Sequence, residues 1–250
     1  MDFSDSMRPI GGWHHRLGPR VRTLWFAKMA GTTLGITAFF VAYFWVLQHP
    51  FFTVTTMPLI ALDRWVAFRP EAFVLYVSLW VYVSLGPALL KDSREVISYG
   101  LATGGLSLAG LSVFVLWPTA VPDFALDWSA HPSLAFLKTV DVAGNACPSL
   151  HVAFAVFTAL WLERILRETG ERGTVRGVNA LWCLGIVYST LAIRQHVALD
   201  ALAGAALGAA VALLHMRSLD RAVRRAGARA DAVRSAGDPA APGVTPVLPH

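Results

Sequence analysis

A chain of 250 residues in which 55% are hydrophobic and only 15% charged, at a mean hydropathy of +0.53, is too apolar for an ordinary soluble domain and points to a membrane protein. Its net charge of +5 does not indicate a nucleic-acid binder, because the basic residues fall in short patches between apolar runs, which is a topology signal. The two cysteines, Cys147 and Cys183, each lie at or within an apolar run without Cys-x2-Cys spacing, so neither a disulfide nor a cysteine-held metal is expected.

Residues 1–23 are polar, carry Arg8, Arg16, Arg20 and Arg22, and form an expected cytoplasmic basic segment. The stretch 24–47, interrupted only by Lys28, has too long an apolar core for a cleaved signal peptide and reads as a first, uncleaved span. Residues 49–70 mix Pro50, Phe51, Phe52, Trp65 and Phe68 with Asp63, Arg64 and Arg69, a composition that suits the outer interface. Spans two and three follow at 72–90 and 96–117, joined by an inner loop with Lys91, Asp92, Arg94 and Glu95. The long connection 118–148 is rich in Pro, Asp and small residues, with Lys138 as its single Lys or Arg. Span four begins at Leu150 and reaches Leu166 with Glu163 and Arg164 snorkelling. Spans five and six cover 177–193 and 197–214, Asp200 is the one charge in the latter, and only Arg194, Gln195 and His196 stand between them. These spans make 24–215 the expected membrane domain. Residues 216–250 carry Arg217, Arg221, Arg224, Arg225, Arg229 and Arg234 before giving way to Pro, Gly and Ala. They are expected to form a basic cytoplasmic tail, a short surface helix in contact with anionic lipid and then largely disordered chain.

The resulting fold is all-α, an integral membrane bundle of six helices. With alternating loops, only Arg64, Arg69, Lys138 and Arg194 of the 21 Lys and Arg residues lie on the outer side. This bias places both termini in the cytoplasm, with the protein in the inner (plasma) membrane. His151 and His196 then both stand at the outer ends of their spans, a result reached without any motif. Two histidines on one side of the membrane can share an outward-facing active site.

The residue types around them suit phosphate-ester chemistry. One histidine can attack phosphorus in line while another protonates the departing alcohol and later serves as base for water or an acceptor alcohol. His196 is the nucleophile candidate, because Asp200 four residues on can accept its Nδ1–H and leave Nε2 free. His151 suits the acid/base role. Ser149 and the backbone N–H groups at the start of span four can hold phosphate oxygens, and Arg194 is the candidate for a fixed positive charge. This chemistry needs no cofactor and no metal.

These residues carry a resemblance. Pro148-Ser149-Leu150-His151 is similar to the second motif, Pro-Ser-Gly-His, of the type 2 phosphatidic acid phosphatase superfamily. Ser189-Thr190 followed by His196 and Asp200 is similar to its third, Ser-Arg with a downstream His and Asp. The resemblance runs from the third span to the sixth. It implies a phosphohistidine on His196, general acid/base work by His151, and a phospholipid or isoprenoid phosphate as substrate. Leu150 stands where the motif has glycine and Thr190 where it has arginine, and no first motif of Lys, six residues and Arg-Pro precedes Ser149. Arg69-Pro70 is far upstream, and Trp117-Pro118 lacks a basic residue. In these departures the chain resembles the branch that includes inositol phosphorylceramide synthases, which implies transfer of a head group to an alcohol as the alternative to hydrolysis. From another class, a lipid carrier or channel could use the same spans with the histidines as a proton relay. A structural His–Asp pair and a zinc site from His151, His196 and Asp200 are the blander and sharper readings of the same residues; no His-Glu-x-x-His pattern supports the latter.

Overall fold

A computed structural model describes residues 13–140, 145–171 and 173–237. Arg8 and Arg172 lie outside the described residues, as does the stretch 238–250 within the tail expected to be disordered. The chain divides into two units after Ala212.

The apolar runs become helices. After α1 (Trp13–Arg22), α2 (Trp25–Gln48) forms the first long helix. A short α3 (Ala61–Trp65) lies in the mixed aromatic segment, with Trp65 81% exposed. The second run is broken: a 3-10 turn at Pro70–Ala72 leads into α4 (Phe73–Val77), and α5 (Leu79–Ala88) follows across Ser78. At that joint the Ser78 hydroxyl donates to the Leu75 carbonyl at 2.6 Å and accepts from Trp182 Nε1 at 2.9 Å. Helix α6 (Ser93–Leu116) starts at Asp92, whose side chain accepts the Glu95 N–H at 2.9 Å as an N-cap. The long connection contains a helix of its own, α7 (Pro132–Val140), and α8 (Leu150–Glu168), α9 (Thr174–Ala192) and α10 (Ala198–Gly237) complete the order.

Five stretches, Trp25–Gln48, Pro70–Ala88, Ser93–Leu116, Thr174–Ala192 and Ala198–Arg229, are long and apolar enough to cross a membrane. The chain is therefore a multi-pass membrane protein. Helix α8, read from the sequence as a span, falls outside this group because Glu163, Arg164, Arg167 and Glu168 crowd its last turns. It is enclosed by the fold, packed against α5, α6 and α9, with Val152, Ala153, Ala155 and Phe157 fully buried. A helix surrounded by protein needs no apolar outer face. Its charges are paired among neighbours: Arg176 and Arg167 on Glu163, Arg164 and Arg20 on Glu168. Polar bonds also cross the interior. Tyr82 OH donates to Asn179 Oδ1 at 2.7 Å, and Asn179 Nδ2 donates to the Ala159 carbonyl at 3.0 Å.

Helix α10 meets α8 at glycines. A Cβ at Gly204 would overlap the Ser149 carbonyl, and one at Gly208 the Ala153 carbonyl, so the two backbones approach as only glycine allows. The arginine-rich segment is helical up to Gly237, the last residue of α10.

Three connections at one end of the bundle are tied by backbone pairing. Strand β1 (Thr55–Thr56) runs parallel to β2 (Thr119–Ala120), and Thr119 also pairs with Asn145. Cys147 N–H donates to Thr119 Oγ1 at 2.7 Å, and Asn145 Nδ2 to the Tyr43 carbonyl at 3.3 Å. The entry to α8 is thereby fixed to the ends of α2 and α6.

Candidate active site

Ser149 caps α8, its Oγ accepting the Val152 N–H at 3.3 Å, which puts His151 in the first turn of the helix. Leu150, in place of the motif glycine, projects into the space left by Gly110, where a Cβ would overlap it. The substitution is thus accommodated by a missing side chain on α6.

His196 stands in the turn between α9 and α10. The N–H groups of Gln195 and His196 both donate to the Thr190 carbonyl at 3.1 Å, and Arg194 adopts a left-handed φ of 59°, which costs a non-glycine residue about 1–2 kcal/mol. Side chains brace the turn. The Arg194 guanidinium donates to the carbonyls of Asp63 at 3.1 Å and Val66 at 2.8 Å and lies 4.8 Å from the Phe124 ring centroid. Lys138 Nζ donates to the Arg194 carbonyl at 2.9 Å. Asp63, buried, accepts the Ala198 N–H at 2.7 Å through Oδ1 and the Ile60 N–H at 2.8 Å through Oδ2, so it caps α10 from a distant loop.

Ser149, His151, His196 and Asp200 come together; the Arg194 guanidinium is directed to the α3 loop instead. His151 Nδ1 and His196 Nε2 share a hydrogen bond of 3.2 Å, and Tyr76 OH is 2.7 Å from His151 Nε2. Ser149 N–H donates to the Asp200 carbonyl at 3.0 Å, joining the two halves through backbone. The expected Nδ1–H to carboxylate bond is not formed. His196 Nδ1 stands 3.7 Å from Asp200 Oδ2, which accepts the Val197 N–H at 3.0 Å. The physical reason is that α10 begins at Ala198, so His196 precedes the helix and the i,i+4 geometry of a continuous helix does not apply. His196 Nδ1 and Asp200 Oδ1 are both buried without a hydrogen-bond partner among the described residues.

A cavity of about 460 Å³ opens on the pair. Its walls are mostly aromatic, with Phe39, Phe40 and Phe44 from α2, Trp80 from α5, Phe136 from α7 and Phe154 from α8, while Tyr76, His151 and His196 form a polar end. Cys147, next to this site, is no rival nucleophile: burial, with the Asp200 carboxylate adding to it, pushes its thiol up to about 11, so it stays protonated at neutral pH.

The model of the PAP2 superfamily matches residues 96–224, just over half of the chain. The chain belongs to the PAP2 superfamily. Searches among curated proteins and among solved structures gave no significant match. PAP2 members are phosphatases acting on phosphate esters, and the membrane-spanning helices agree with a membrane-associated phosphatase or phosphotransferase. The matched residues take in all but the first three residues of α6, α7 to α9, α10 as far as Arg224, both histidines and Asp200. Tyr76, Asp63 and the aromatic wall of α2 lie upstream of them, and sequence reasoning missed the part all three play at the site. An aspartate among interfacial aromatics reads as a solvated charge, and a tyrosine within an apolar run reads as packing; neither carries a spacing signal to the histidines.

Proposed function

We propose that the protein cleaves a lipid phosphate ester through a phosphohistidine on His196, with His151 as general acid and base and without a metal. The observation that carries this reading is the 3.2 Å contact between His151 Nδ1 and His196 Nε2 at the polar end of an apolar cavity. A hydrocarbon chain suits the aromatic walls, and its phosphate reaches the imidazoles. Asp200 is held near enough to keep the proton of His196 on Nδ1 and to stabilise the cation that forms on attack, a contact that tightens when substrate is bound. The phosphate must enter between the rings, so the resting bond opens on binding. Ser149 and the positive end of α8 support the phosphate oxygens. In this reading α8 crosses the membrane as a sixth span shielded by its neighbours, both termini are cytoplasmic, and the site opens to the outer leaflet.

A second reading, head-group transfer to an alcohol as in the inositol phosphorylceramide synthase-like branch, draws on Thr190. Its side chain is buried and donates to the Val187 carbonyl at 2.8 Å, so the position that carries an arginine in the motif offers no cation here. The two readings share the first step and differ in what accepts the phosphoryl group.

The test is release of phosphate from a panel of lipid phosphates and isoprenoid pyrophosphates by detergent-purified protein with chelator present, wild type against His196→Ala. Release that survives the chelator and disappears in the variant is the expected result. Activity only on addition of an acceptor alcohol assigns a transferase, and silence in both formats, with lipid movement in vesicles, replaces the enzyme with a carrier.

A further inference from the structure

The geometry points to Tyr76 as a positioning residue for the general acid, a hydroxyl that holds His151 through both of its protonation states; this rests on the reading above. Three contacts form one line: Tyr76 OH to His151 Nε2 at 2.7 Å, His151 Nδ1 to His196 Nε2 at 3.2 Å, and His196 Nδ1 toward the Asp200 carboxylate at 3.7 Å. The carboxylate gives the line its direction. A neutral His196 with its proton on Nδ1 presents a lone pair at Nε2, which accepts His151 Nδ1–H. His151 Nε2 is then itself an acceptor, and the Tyr76 hydroxyl donates to it.

The chemistry needs a further state. For His151 to protonate a leaving alkoxide and finish neutral, it starts as the imidazolium, with N–H on both nitrogens. Nδ1–H goes to the leaving oxygen as His196 Nε2 forms its bond to phosphorus and the P–O bond breaks. In the second step water attacks phosphorus, its proton returns to Nδ1, and the P–N bond breaks. Throughout this cycle Nε2–H needs an acceptor. A phenol oxygen supplies one by turning its own hydrogen away, whereas an amide N–H or an ammonium group could only donate. Tyr76 is 3% exposed and its ring lies 5.0 Å from that of His151, so the partner is held by packing on α4.

The experiment compares Tyr76→Phe with wild type on two substrates of unequal leaving group, dodecyl phosphate and 4-nitrophenyl phosphate, following the released alcohol so that water and alcohol acceptors count alike. Loss of a hydrogen bond to a charged group is expected to lower kcat/KM on dodecyl phosphate, which reports the steps up to departure of the alcohol, about ten- to a hundredfold. On 4-nitrophenyl phosphate, whose leaving group needs little protonation, kcat/KM should fall less than about threefold, while kcat, which includes the hydrolysis step common to both substrates, is not the diagnostic quantity. Inhibition by inorganic phosphate and the melting temperature serve as controls that the variant is folded. An equal loss on the two substrates, or none, overturns the inference while leaving the phosphohistidine reading intact. If wild-type protein releases neither alcohol, or His196→Ala retains full activity, the parent reading falls and Tyr76 with it.

Discussion

The His196 turn depends on side chains that never touch a substrate. Asp63 satisfies two backbone N–H groups from positions far apart in sequence, at Ile60 and Ala198. Asp63→Ala leaves both without an acceptor inside the protein and should destabilise the fold by about 2 kcal/mol, read as a lower melting temperature in detergent. Asp200→Asn separates two roles of one carboxyl. The amide oxygen can still accept the Val197 N–H, so the melting temperature should hardly move, while loss of the negative charge beside His196 should lower kcat by at least about tenfold. An active Asp200→Asn enzyme would reduce Asp200 to a helix cap. Arg194, through its contacts with Asp63 and Val66, belongs with the first of these cases: Arg194→Ala should change stability more than KM, and a large rise in KM alone would return it to the phosphate.

Among the elements, two glycine contacts govern how the site is assembled. Because a Cβ at Gly204 would strike the Ser149 carbonyl, which accepts the Ala153 N–H in the first turn of α8, Gly204→Val should push α10 away. The expected loss is more than about 2 kcal/mol, with activity lost alongside stability. Gly110 and Leu150 form a complementary pair. Gly110→Ala should impair folding, and adding Leu150→Gly, which restores the motif residue, should recover much of the loss; additive effects in the double variant would sink the pairing. Much of this level was legible beforehand. Apolar runs located the starts of the long helices within a few residues, though not the far end of α10, and the small residues around Gly204 and Gly208 announced close packing. Helix α7 was not legible, because nine residues within a Pro-rich connection give too few turns for a periodic signal, and its cavity-facing Phe136 and Leu137 come from tertiary contact. The break of the second span at Ser78 left no mark either, since a single serine in an apolar run is ordinary. At the site, the matched spacing around His151 and His196 was visible, but the length of the His196–Asp200 contact was not, since it depends on α10 starting two residues late.

For the whole molecule, the proposed topology makes a prediction that needs no substrate. Ser129 lies in the connection assigned to the outside and is replaceable by cysteine, as is the exposed Arg225 in the tail. On intact cells, a membrane-impermeant maleimide should label Ser129→Cys and spare Arg225→Cys, which becomes reactive only after permeabilisation. The background should be low, because Cys147 and Cys183 are both buried. The reverse pattern would put the histidines on the cytoplasmic side.

The pairing of Thr55 and Thr56 with Thr119 and Ala120, and of Thr119 with Asn145, bears on how such a protein can be recombined. Loops on a membrane enzyme are commonly treated as interchangeable parts. Here the segments after α2, after α6 and before α8 are bonded to one another: a chimera that imports the 118–148 connection from a relative without its 49–70 counterpart brings mismatched edges to the entrance of α8, and His151 is three residues beyond the end of that connection. Exchange of both segments together keeps the pairing intact, so substrate preference should travel with the pair and with neither alone.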